Sequence, residues 1–139
     1  MKTFWRLFWL ATVLSGAMAQ AEDLAPTTLA KILKLVLSDA KENAIACTDP
    51  LLRMELMKLG VKLDPEASIV WVKSAPEKAK FRSSNRLTIG GQVSDLNEGV
   101  IVALVGEGGR CVFYVSKTNA NANKVVLPTA VMKLGKVTQ

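Results

Sequence analysis

The chain has 139 residues, half of them hydrophobic, with 18 Lys+Arg against 12 Asp+Glu for a formal charge of +6. It contains no histidine, which excludes a Ser–His or Cys–His nucleophile and a His-built zinc site. The basic residues are scattered without interleaved aromatics, so the charge does not read as a nucleic-acid footprint.

The first 21 residues are a unit of their own. Lys2 and Arg6 precede an apolar run from Leu7 to Leu14, and small residues follow as Ala17-Met18-Ala19 or Ala19-Gln20-Ala21. Charge, short apolar run and A-x-A in that order predict a secretory signal peptide cleaved after Ala19 or Ala21. The run falls short of the roughly 20 residues a membrane span needs. The expectation is therefore a protein that works outside the cytoplasm, with no stable membrane insertion after cleavage. Removing residues 1–21 leaves 118 residues, one domain at 22–139. Lys+Arg then falls to 16 against 12 Asp+Glu, a net charge of +4.

A helix is predicted to open at Pro26-Thr27-Thr28. Leu29, Ile32, Leu33, Val36 and Leu37 follow the helical period, and Leu35 widens the apolar stripe toward full burial. Ala44 to Cys47 suits a buried strand. Asp49 and Pro50 then supply an N-cap and a first helical residue. Leu52, Leu56 and Leu59 line one face of that helix, and Gly60 is placed to end it. Ser68 to Val72 reads as the next strand. Ser74-Ala75-Pro76-Glu77 matches a capping box, Ser-x-x-Glu, and opens a short helix that Ser83-Ser84-Asn85 stops.

Leu87-Thr88-Ile89 is a brief strand ending at Gly90-Gly91, and Val93 to Asn97 reads as a loop. Gly99 to Val105 and Arg110 to Val115 form a hairpin around Gly106-Glu107-Gly108-Gly109. That glycine-rich stretch lacks the Gly-Lys-Ser/Thr of a P-loop and joins two strands, so a turn accounts for it. Asn119 to Asn123 is a loop or a single helical turn. Pro128 starts a last helix that stops near Gly135. The order α-β-α-β-α-β-β-β-α predicts a three-layer α/β domain with a mixed sheet, short parallel strands and a C-terminal antiparallel hairpin.

Few residues suggest chemistry. Cys47 and Cys111 are an even pair, which in an oxidising compartment suggests one disulfide or, alternatively, two free thiols. Asp95 and Glu98 share a loop, where carboxylates are commonly solvated. No paired acid and base emerge, so no enzyme activity, cofactor or metal is expected. A ligand crevice is conceivable where open α/β sheets bind ligands, beyond the carboxyl ends of strands. Here that means Thr48 and Asp49, together with Gly90 and Gly91.

The C-terminal half also carries a recurring layout. It runs Leu87-Thr88-Ile89-Gly90-Gly91, Gly99-Val100-Ile101, then Gly109-Arg110-Cys111-Val112-Phe113-Tyr114-Val115. Asn119, Ala120 and Ala122 follow, then Leu127 and Met132 to Val137. This resembles the YfiR-like family of periplasmic proteins, and Leu29 to Cys47 is similar to how that family begins. Ser116 stands where the family usually has Asn, Val131-Met132 where paired Leu is typical, and the middle segment, Ala75 to Arg86, is shorter. The resemblance implies a non-catalytic periplasmic regulator. The type member binds the periplasmic sensor part of an inner-membrane diguanylate cyclase and holds it inactive, which keeps cyclic di-GMP low inside the cell. The partner implied is a membrane-bound sensor protein with a periplasmic domain. A small-ligand-binding domain and an accessory subunit of an envelope machine are the alternatives. The hairpin also suggests a homodimer formed edge to edge.

Overall fold

The computed structural model describes residues 23–138, so the segment expected to be a signal peptide lies outside the described residues. The first helix, α1 (Pro26–Asp39), buries Leu29, Ala30, Leu33, Val36 and Leu37. Leu35 is 69 % exposed instead of completing the stripe. At 100° per residue it falls outside the sector that the buried residues share. Strand β1 (Ala44–Ile45) leads into α2 (Pro50–Lys58), capped by Asp49, whose carboxylate accepts from the amides of Leu51 and Leu52. Gly60, at φ +80°, lets the chain leave α2 in the left-handed region. It returns as β2 (Lys62–Leu63), parallel to β1.

Next come β3 (Ile69–Trp71), α3 (Ala75–Phe81) and β4 (Leu87–Gly90). The segment expected as a loop is a 3₁₀ helix, Val93–Glu98. Strands β5 (Val102–Glu107) and β6 (Arg110–Ser116) make the hairpin. Its tip is only Gly108-Gly109, because Gly106 belongs to β5 opposite Cys111. Both tip residues have positive φ, the signature of a type I′ turn. Short helices α4 (Lys117–Ala122) and α5 (Thr129–Leu134) precede β7 (Lys136–Thr138). The amide of Ala130, in the first turn of α5, donates to Asp39 Oδ2 of α1 at 2.8 Å. That satisfies a donor that α5 cannot satisfy itself.

The main sheet runs β3-β4-β5-β6-β7, with every pair parallel except β5–β6. Ala46, just after β1, bridges Val70 of β3 in parallel fashion. The β1–β2 pair thus continues the main sheet, and the strands lie in the order 2-1-3-4-5-6-7. Alternation along β3 sends Ile69 and Trp71 into the large core shared with α1, α2 and α5. Val70 and Val72 join a smaller cluster against Phe81 of α3. An α/β fold with a mixed sheet results, as the sequence predicts.

The structure bears on the hairpin edge and on the cysteine pair. Strand β5 is paired on both sides, and β7 covers β6 along Tyr114–Ser116, which leaves only the Arg110–Phe113 part of the outer edge of β6 open for edge-to-edge pairing. Cys47 and Cys111 are both free thiols and form no disulfide. Cys47 follows the strand beside β3, whereas Cys111 lies on β6. Four strand spacings of ~4.8 Å separate them, or about 19 Å, against the roughly 7 Å limit on Cα separation in a disulfide. Burial pushes the Cys47 thiol up to about 11, so little thiolate exists to react near neutrality. Thiol titration of the denatured chain without reductant should find both cysteines, and reductant should leave its melting temperature unchanged.

Candidate functional site

The strand order 2-1-3 reverses direction between β1 and β3. Such a switch point splays the connections at the carboxyl ends of the two strands and leaves a crevice there. The loop after β1 brings Thr48 and Asp49. The loop after β3 brings Lys73 and Ser74, followed by α3 with Glu77 and Lys78.

Two side-chain links cross between these loops. Thr48 donates its hydroxyl proton to Glu77 Oε2, and Lys73 Nζ sits 3.5 Å from Asp49 Oδ2. Glu77 also completes the capping box: its Oε1 accepts from the amides of Lys73 at 3.1 Å and Ser74 at 3.2 Å. Partial burial works against ionisation of Glu77. The hydrogen bonds from Thr48, Ser74 and Lys73 outweigh it and hold the carboxyl below its ordinary value. A folded-state value below the unfolded one, about 4.3, means stability that is present above that pH and lost as pH falls through the folded value. Glu77→Gln should therefore destabilise the chain at neutral pH. The difference from the parent should shrink as a pH series of denaturant melts descends below about 4.

Across the crevice, β4 ends at Gly90, and the 3₁₀ helix turns Asp95 back beneath it. Asp95 Oδ2 accepts from the Gln92 amide at 3.1 Å, and Oδ1 lies 2.6 Å from Lys78 Nζ. Lys78 also reaches Glu98 at 3.2 Å. The Lys78 and Asp95 side chains are only 12 % and 4 % exposed, whereas Glu98 is 49 % exposed. The hydrogen bond that Lys78 donates to Asp95 pushes the lysine above its ordinary value despite the opposing effect of burial. Gly90 makes room for this pair, since a Cβ there would stand 2.4 Å from Asp95 Oδ2.

A cavity of about 340 Å³ opens at this end of the sheet, lined by Asp49, Trp71, Lys73, Lys78, Gly91, Gln92 and Asp95, with apolar walls from α1, α2 and β5. A second cavity of about 360 Å³ adjoins it, lined by Thr48, Cys47, Arg53, Glu77 and Phe81 among others, and Trp71 borders both. The structure thus gathers the expected crevice residues at one end of the sheet. Asp49 and Gly91 line the first cavity, Thr48 lines the second, and Gly90 lies behind Asp95. Sequence reasoning missed Trp71, Lys73, Lys78 and Asp95. Asp95 is not a solvated loop carboxylate; it is buried and paired. Its signal was the 3₁₀ cap at Gln92, which a loop reading hides. No group of three or more Cys, Asp or Glu suited to a metal occurs among the described residues.

No family model matches the chain, and no curated protein matches it. Among solved structures it is similar to a conserved domain protein from Vibrio cholerae O1 biovar El Tor strain N16961, with a TM-score of 0.57 at 15 % identity. The match covers 84 % of this chain and 61 % of the other. The likeness shows the fold alone: both chains carry this α/β architecture.

Proposed function

We propose that the chain is a non-catalytic periplasmic regulatory protein that acts by contact with a membrane-bound signalling partner, such as a diguanylate cyclase with a periplasmic sensor domain. One observation carries the reading. Helix α2 buries Leu52 and Leu56 but turns a second set of large apolar side chains outward. Leu51, Met54 and Met57 are 64 %, 55 % and 62 % exposed. Spaced three apart, they form one stripe along the helix. Exposed apolar groups in a row mark contact surfaces more often than scattered ones do, and unbranched methionine adapts to a partner's shape. The resemblance to YfiR-like proteins supplies the class of partner.

The test is capture from envelope membranes. The tagged chain, expressed whole, is crosslinked in cells and its partners are identified by mass spectrometry. A membrane protein with a periplasmic sensor and a cytoplasmic cyclase domain should be recovered. Met54→Lys with Met57→Lys should abolish that recovery while leaving the melting temperature within a few degrees of the parent. Recovery of secretion or pilus components, or of nothing, would overturn the reading.

A further inference from the structure

The chain carries a formal charge of +6, yet the cavity of about 340 Å³ at the switch point is locally acidic. Asp23, Asp49 and Asp95 line it, and Glu98 joins Asp95 on Lys78. Against these four carboxylates stand two ammonium groups, Lys73 and Lys78. Lys78 is shared by Asp95 and Glu98, so that cluster keeps one negative charge. Lys73 offsets Asp49. Asp23 has no cationic partner among the described residues. Two negative charges are left over.

Asp49 is the carboxylate best placed for a ligand. Its Oδ1 caps α2, accepting from the amides of Leu51 at 3.1 Å and Leu52 at 3.5 Å. Those bonds seat the carboxylate against two leucines of the cavity wall. Among the described residues Oδ2 meets only Lys73 Nζ, at 3.5 Å, well beyond the roughly 2.7–2.9 Å of a charge-assisted hydrogen bond. The Lys73 side chain is 73 % exposed against 19 % for Asp49. Lys73 therefore reaches in from solvent, and such a pair holds weakly. A cation entering from the cavity can take Oδ2 without unmaking a strong contact.

Much of the remaining wall is apolar, with Leu24, Leu29, Leu104 and Trp71. Displacing water from such a wall strengthens a charge contact beside it. The same wall offers too few oxygens to replace the hydration shell of an inorganic cation. An anion would meet the excess negative charge. At about 30 Å³ per water the space corresponds to roughly eleven waters, enough for a small organic molecule.

We infer that this cavity binds a small organic cation, a protonated amine on an apolar body, whose ammonium group donates to Asp49 Oδ2. The body lies against the leucines of α1, α2 and β5. Leu51 belongs both to this wall and to the exposed stripe of α2, so the two sites adjoin there. Met54 and Met57 are not part of the wall, so the cation site and the proposed partner surface are tested through different residues.

Benzylamine, protonated at neutral pH as a lysine side chain is, is a suitable probe. Benzyl alcohol and benzoate are neutral and anionic controls of nearly the same shape. The chain is expressed whole, purified as the cell processes it and followed by NMR in about 0.15 M salt, where long-range attraction to surface carboxylates is screened. Benzylamine should bind saturably and shift the amides of Leu51, Leu52, Gly91 and Gln92. Benzyl alcohol should bind at least several-fold more weakly, and benzoate more weakly still. Asparagine caps a helix as well as aspartate does, so Asp49→Asn keeps α2 and removes the charge. It should weaken benzylamine about tenfold, one charge-assisted hydrogen bond, and leave benzyl alcohol unchanged. The inference is overturned by non-saturable benzylamine binding, by benzyl alcohol or benzoate binding as well as benzylamine, by shifts confined to residues outside the wall, or by an Asp49→Asn chain that binds benzylamine as the parent does. The three-probe comparison on the parent chain decides the matter even if Asp49→Asn does not fold.

Discussion

Asp95→Ala is expected to lower the unfolding free energy by about 3 kcal/mol, the cost of stranding one member of a buried ion pair. For a domain of this size that is a fall in melting temperature on the order of 10 °C. Lys78 loses its shortest contact and keeps only the half-exposed Glu98, so the figure sits at the low end for such pairs. The Gln92 amide loses its acceptor in the same step. Sign follows from the direction of the Lys78 shift. A lysine raised in the fold contributes stability that is fully present below its unfolded value, about 10.4, and lost as pH rises through the folded one. Denaturant melts should therefore keep parent and variant well separated at neutral pH and bring them together in strong alkali. Gly90→Ala should cost a similar amount by a different route, driving Asp95 off its position. The two changes should not add. Once Asp95 is alanine, the oxygen that collides with a Cβ at position 90 is gone, and the second substitution becomes cheaper. Additive losses would show that Gly90 serves some purpose other than housing the carboxylate.

Gly135→Ala carries the second large effect. Gly135 has ordinary extended angles, φ −78° and ψ 144°, so alanine meets no conformational penalty there. The obstacle is space. A Cβ would stand 2.5 Å from the Val131 carbonyl oxygen and 2.7 Å from Val115 Cγ2. The carbonyl is tied into α5 as the acceptor of the Gly135 amide and cannot swing aside. Overpacking of this kind costs about 1–3 kcal/mol, and the cheapest relief is to lift β7 from β6. Hydrogen exchange should then rise at the amides of β7 well before the rest of the sheet opens. Global destabilisation with β7 still protected would mean that the strand is held by something stronger than its short register with Tyr114–Ser116.

Much of the fold was legible because local chemistry and tertiary context agree there. The Asp49 cap, the Ser74–Glu77 capping box and the glycine-tipped hairpin are each written in a few adjacent residues, and each forms. The failures share a cause. Strand β2 is two residues long, Lys62 and Leu63, one of them exposed, so it has no apolar run to announce it. It exists because α2 carries the chain back alongside β1. Strand β7 offers only Lys136, Val137 and Thr138, and its place depends on β6 having an open edge there. Lys78 and Asp95 lie 17 positions apart and looked like surface charges on separate segments. Their burial follows from α3 packing over the 3₁₀ helix, a relation that no window of sequence contains. The crevice was visible only as a general property of strand ends; Trp71, which borders both cavities, read simply as core.

The strand order has a consequence for how the chain acquires its structure. From β3 onward each strand lies beside the one made just before it, and β1 and β2 differ only by a single local exchange. A polypeptide delivered N-terminus first, whether from a ribosome or through a membrane channel, can lay down its sheet by accretion, closing short loops one after another. Such loops carry little closure entropy, and folds with near-sequential contacts assemble quickly. Because β7 comes after β6 is complete, the growing sheet keeps the Tyr114–Ser116 edge of β6 unpaired until β7 arrives. That interval is when a second unfinished chain could take the place of β7.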